Sequence, residues 1–209
     1  MALSPATPIE LHSRAVPLRG SATAQAVLAM AGWRVEFKGL PTAQGVAVIY
    51  PHTSNWDFVV LMLAKAAVGL PVTFWGKASL FRWPVFGRWL RWMGGLPVAR
   101  HTPQGAVGQM IADMRAACLQ GRFMWLGLSP EGTRKLTAGW RSGFYRVAVD
   151  TQVPVGLVGL DFGQRRVVFD SFWRLSGQPA ADLAVFAERL AVYRGCHPAE
   201  AAPVRFLEN

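Results

Sequence analysis

His52 and Asp57 stand five positions apart in "PHTSNWDF" (51–58), directly after the apolar run "VAVIY" and directly before "VVLML". Imidazole is the side chain best suited to take a proton near neutral pH, provided that a partner fixes its tautomer and stabilises the imidazolium that forms. If a helix begins near Asn55, a histidine in the entry turn and an aspartate in the first helical turn can meet on one side, as base and orienter. A nucleophile is missing from this turn: Ser54 lies in it, but no Gly-x-Ser-x-Gly elbow surrounds it. The pair therefore suits a base that activates a hydroxyl belonging to a substrate. Ser54-x-x-Asp57 ahead of an apolar helix is equally a capping box, in which the carboxylate satisfies backbone N–H groups at about 1 kcal/mol. On the residues alone both uses of Asp57 stay open.

A second polar turn, "SPEGTRK" (129–135), follows the apolar run "RFMWLGL". Gly132 permits a tight backbone approach, Arg134 offers a planar fork suited to phosphate, and Glu131 can accept hydrogen bonds from hydroxyls. In isolation the same turn reads as solvated surface charge. Arg100, which ends "GGLPVAR", is a third candidate, and a lone Arg at a strand end is by itself an ordinary exposed charge.

The elements that must position these turns alternate along the chain. "GVAVIY" (45–50), "PVTFWG" (71–76) and "RFMWLGL" (122–128) are continuous apolar runs, as expected of strands buried on both faces. A helix is expected from near Ser54 to Val68 with Pro71 stopping it, and others over 23–33, 104–120, 143–151 and 179–194. Short strands are expected at "RVEFKG" and "LPVAR", and longer ones at "VPVGLVGLDF" and "RRVVFDSF". Strands alternating with helices predict an α/β fold: a single domain over 21–209 with a mixed, mostly parallel sheet flanked by helices. Residues 1–20 are Pro-broken and read as a poorly ordered leader without a signal peptide. In such sheets ligand sites lie beyond the carboxyl ends of the strands, where both polar turns fall.

His52-x-x-x-x-Asp57, then "GGLPVAR" ending in Arg100, then "PEGTR" (130–134) resemble, in order and approximate spacing, the glycerolipid acyltransferase family typified by 1-acyl-glycerol-3-phosphate acyltransferase. The likeness covers roughly residues 45 to 160 and includes "GKASLFRWPVFGRWLRWMGGLPVAR" between the first two motifs. It implies a glycerol-phosphate-acyltransferase-like fold and direct acyl transfer from a thioester, on acyl-CoA or acyl carrier protein, to a lysophospholipid hydroxyl in phospholipid biosynthesis. By that resemblance His52 is the general base and Asp57 its orienter. Arg100, Glu131, Gly132, Thr133 and Arg134 would hold the glycerol phosphate of the acceptor. No metal or cofactor is implied; the thioester is a co-substrate. Ser129 stands where the family often has an aromatic residue, and "VPVGLV" (153–158) lacks a second proline, departures that touch the acceptor rather than the His and Asp pair. Another lysolipid acceptor, such as lyso-ornithine lipid, is the nearest alternative.

The 209-residue chain is 52% hydrophobic and carries a formal charge of +10, which calls for a polyanionic neighbour. "LFRWPVFGRWLRWM" (80–93) interleaves Trp83, Trp89 and Trp92 with Arg82, Arg88 and Arg91, a pairing suited to the headgroup layer of an anionic membrane surface. The expected location is therefore peripheral, on the cytoplasmic side of a membrane. A non-enzymatic basic protein that binds lipid or nucleic acid is a competing class, but no RNP1 run is present and the hydrophobic content is high for a nucleic-acid module. Cys118 and Cys196 match no zinc spacing and read as packing residues rather than nucleophiles.

Overall fold

The computed structural model describes residues 5–11, 16, 18–98 and 103–207. In chain order the elements are β1 (Thr7–Ile9), α1 (Ala22–Met30), β2 (Arg34–Glu36), β3 (Gln44–Tyr50), α2 (Trp56–Val68), β4 (Thr73–Lys77), a 3₁₀ turn (Ala78–Arg82), α3 (Pro84–Trp92) and β5 (Gly95–Val98). There follow α4 (Pro103–Leu119), β6 (Met124–Leu128), α5 (Gly143–Thr151), β7 (Val155–Asp161), β8 (Arg166–Arg174), α6 (Pro179–Leu190) and a last 3₁₀ turn (Pro198–Glu200).

The strands form one sheet in the order β1-β8-β7-β3-β6-β4-β5, with β2 also paired to β8. Pairing is parallel from β7 through β3, β6 and β4 to β5, and antiparallel only where β8 meets β7 and β1. The domain is therefore α/β with a mixed, mostly parallel sheet flanked by helices. The two-residue period of a strand divides its core: Val46 and Val48 of β3 face α4, α5 and α6, while Ala47 faces α1 and α2. β7 is buried along its whole length, and with β3 and β6 it forms a stiff centre covered on both faces. β3 ends at Tyr50, so the turn that carries His52 springs from the middle of this centre.

α2 opens immediately after that turn, with Asn55 at the N-cap and Asp57 in the first turn. It closes at Gly69, whose left-handed φ of 71° lets the N–H groups of Gly69 and Leu70 return to Ala66 and Lys65. The helix thus stops two residues before Pro71, the residue expected to break it. A Cβ on Gly69 would also meet the Arg19 carbonyl oxygen at 2.0 Å. The Trp- and Arg-rich stretch is two elements, because Pro84 at the first helical position of α3 separates it from the 3₁₀ turn.

The stretch expected to be a leader contributes structure. Thr7–Ile9 pair antiparallel with Phe172–Arg174, and Ala6 lies in the core cluster. Alternating polar and apolar residues are too few here to announce a three-residue strand; its partner β8, already formed, supplies the pairing edge.

Candidate active site

The turn after β3 is held by one carboxylate. Asp57 is fully buried, and its Oδ2 accepts the backbone N–H of Thr53 at 2.7 Å and of Ser54 at 2.9 Å. The Ser54 hydroxyl accepts from the Trp56 N–H at 3.2 Å rather than from that of Asp57, so only the returning half of a capping box forms. The same Oδ2 lies 2.9 Å from His52 Nδ1. The ring N–H points off that line, leaving Nδ1 without an aligned acceptor and Asp57 Oδ1 without a donor. No Lys or Arg among the described residues forms an ion pair with Asp57; the basic side chain beside its carboxylate is the His52 imidazole. Nδ1 is sealed while the side chain as a whole is 19% exposed, so the ring reaches solvent through its other side, which carries Nε2.

Glu131 joins this turn from the end of β6. Its Oε2 accepts the His52 N–H at 2.6 Å and the Ser129 hydroxyl at 3.2 Å, and its Oε1 accepts the Ala202 N–H at 3.0 Å. Burial pushes its carboxyl above the usual carboxylate range, and the Ala202 and His52 N–H groups oppose that shift without cancelling it. The side chain is only 2% exposed and its oxygens are taken by the protein's own donors, so it offers no free edge to an acceptor hydroxyl. Glu131 holds the backbone of His52. It is buried beneath the C-terminal segment, which comes 71 residues later in the chain.

Gly132 has φ +66°, and a Cβ there would meet Arg141 Nε at 2.7 Å. The glycine turns the chain outward, so that Arg134 is exposed beside the His52 turn. Arg134 and Lys135 line a cleft of about 550 Å³ with Thr53, Cys196, His197, Pro198, Ala199 and Glu200. Thr133 is half-buried, and its hydroxyl accepts the Lys135 N–H at 3.4 Å. His52, Asp57, Glu131, Gly132, Thr133 and Arg134 are thus brought to one end of the sheet, beyond the carboxyl ends of β3 and β6. Arg100 lies outside the described residues.

Sequence reasoning missed Thr53 and the segment from Gly195 to Ala202. Thr53 is 3% exposed, and its hydroxyl accepts the His197 N–H at 3.1 Å. The tyrosine that ends β3, Tyr50, donates to the Ala202 carbonyl at 3.0 Å, and burial followed by the nearby Glu131 carboxylate pushes its hydroxyl pKa up.

A family model described as Acyltransferase matches residues 34–159, which contain the His52 turn, Glu131 and the strands that carry them. The chain belongs to the acyltransferase family. No curated protein matches this acyltransferase-family chain. Among solved structures, that of the 1-acyl-sn-glycerophosphate (LPA) acyltransferase PlsC from Thermotoga maritima is similar, at TM-score 0.44 and 18% identity, over 69% of this chain and 62% of that one. The match therefore spans less than two thirds of that relative's length.

Proposed function

We propose that this protein transfers a fatty acyl group from an acyl thioester to a hydroxyl of a lysophospholipid such as 1-acyl-glycerol-3-phosphate. The observation that carries the reading is the 2.9 Å approach of a buried Asp57 carboxylate to His52 Nδ1, which leaves Nε2 as the ring atom free to meet a substrate. His52 takes the acceptor hydroxyl proton as the oxygen attacks the thioester carbonyl. The tetrahedral adduct then collapses, the C–S bond breaks, and the proton passes from His52 to the departing thiolate. The thioester is already activated, so positioning and deprotonation of the hydroxyl are the enzyme's main tasks. Arg134 at the mouth of the cleft, with Gly132 and Thr133 setting its direction, would hold the acceptor phosphate, and Arg100 is assigned the same task. Glu131 serves the site by fixing the His52 backbone.

The membrane provides the acceptor. No helix among the described residues is long and apolar enough to cross a bilayer. α3 and the turn before it nevertheless expose Trp83 at 69%, Val85 at 83% and Trp92 at 81%, among exposed Arg82, Arg88 and Arg91. Trp89 lies 6.3 Å, centroid to centroid, from Phe58, the residue after Asp57, so this surface adjoins the catalytic helix. Aromatic rings and an exposed valine beside guanidinium groups suit an anionic headgroup layer, and the +10 charge calls for a polyanionic neighbour. A peripheral position on the cytoplasmic face of a membrane follows from this reading.

The test is transfer of labelled acyl chains by purified protein, from acyl-CoA and from acyl carrier protein, to lysophosphatidate, lyso-ornithine lipid and other lysolipids in vesicles. Product with one donor and one acceptor names both. Absence of product from folded protein with every pair would leave a lipid-binding relative without transfer.

A further inference from the structure

The C-terminal segment after α6 crosses back over the His52 turn, and it lies wholly outside the residues that the family model covers. It touches the turn at successive points. Gly195 packs so closely on it that a Cβ would stand 2.7 Å from the Thr53 hydroxyl and 3.4 Å from Pro51 Cβ. His197 N–H donates to the same Thr53 hydroxyl at 3.1 Å. Ala202 N–H donates at 3.0 Å to Glu131, whose other oxygen holds the His52 N–H at 2.6 Å. The catalytic turn is therefore clamped between β3 on one side and a strap from the end of the chain on the other.

We infer that this strap is a working part of the active site: it sets the position of the His52 ring, with Gly195, Thr53 and Glu131 as positioning residues. A turn anchored only by Asp57 would have its cap but no contact from above. Thr53 and Glu131 each hold a strap N–H, and both flank or bind the residue that carries the base. The close approach at Gly195 makes the register of the strap specific, because a Cβ there forces the strap or the Thr53 side chain to shift. A base displaced by about 1 Å loses on the order of a hundredfold in rate.

The inference rests on the acyl-transfer reading for its kinetic arm only. The experiment takes the full chain, wild type and Gly195→Ala, and measures kcat and KM for acyl transfer. Beside these it records the ¹⁵N shifts of the His52 ring, assigned by their loss in His52→Ala. The result expected is a fall in kcat of about 10- to 100-fold with KM within about twofold, together with displaced His52 ring shifts. Should Gly195→Ala fail to fold, Thr53→Val, which keeps the shape and removes the acceptor of His197 N–H, is read in the same way. Unchanged kcat, or a lowered kcat with unmoved His52 shifts, overturns the inference. If the wild type transfers no acyl group while the variant still displaces the His52 shifts, the proposed function fails and the strap's hold on His52 stands.

Discussion

Replacing Asp57 by Asn separates the two tasks that converge on one oxygen. In the wild type Oδ2 accepts from Thr53 and Ser54 at 2.7 and 2.9 Å and lies 2.9 Å from His52 Nδ1. An asparagine oxygen turned to the same two N–H groups keeps both bonds but makes them neutral. Hydrogen bonds to a charged group are worth about 1.5–3 kcal/mol and neutral ones about 0.5–1.5, so the cap weakens by about 2 kcal/mol in all. For a chain of this size that is a fall in Tm of about 4–8 °C. On the proposed mechanism the effect on chemistry is larger, because an amide cannot stabilise the imidazolium that would form as the hydroxyl is deprotonated. The same change in a Ser-His-Asp triad costs about 10⁴ in kcat, and a loss of about 10²–10⁴ is expected here. The assay is kcat for acyl transfer beside a thermal melt of the same preparation. Asp57→Asn with kcat within about threefold of wild type and the small fall in Tm would refute the base-and-orienter argument and leave Asp57 as a cap alone.

Glu131→Gln is expected to change the pH dependence of stability. Burial raises the folded-state pKa above the unfolded value near 4.5, so the group's stabilisation is fully present below that value and is lost as pH rises through the folded pKa. The difference in Tm between variant and wild type should shift in the variant's favour across that window, and a parallel pair of curves would contradict the assignment. Tyr145→Phe removes the 2.7 Å donor to the fully buried Asp182 and should cost about 1–3 kcal/mol; a melt coincident with wild type would count against it. Trp83→Ala with Trp92→Ala should weaken sedimentation with anionic vesicles while the melt stays unchanged, since both rings are mostly exposed. Equal sedimentation would move the membrane contact elsewhere.

Most of the sheet was legible because its central strands are continuous apolar runs, and "GVAVIY" and "VPVGLVGLDF" became β3 and β7 within a residue or two. The His52 turn was legible because the motif and the strand-to-helix boundary coincide. β1 was not, since three residues at a sheet edge draw their pairing from β8 rather than from their own pattern. The end of α2 at Val68 was legible, but the stop was attributed to Pro71, whereas Gly69, with its positive φ, closes the helix first. Glu131 was given the acceptor by the family resemblance; its partners in the structure are backbone N–H groups at His52 and Ala202 and the Ser129 hydroxyl, and no side-chain pattern encodes a backbone donor brought in from a distant segment. The strap went unnoticed for the same reason: Gly195 matters by what it lets approach, and that is a property of the folded chain.

One measurement bears most directly on the whole account: acyl transfer from labelled thioester to lysolipid in vesicles by wild type and by His52→Ala, each shown to be folded. The account predicts turnover by the wild type and a loss of about 10²-fold or more in the variant. Turnover that survives in His52→Ala would contradict it.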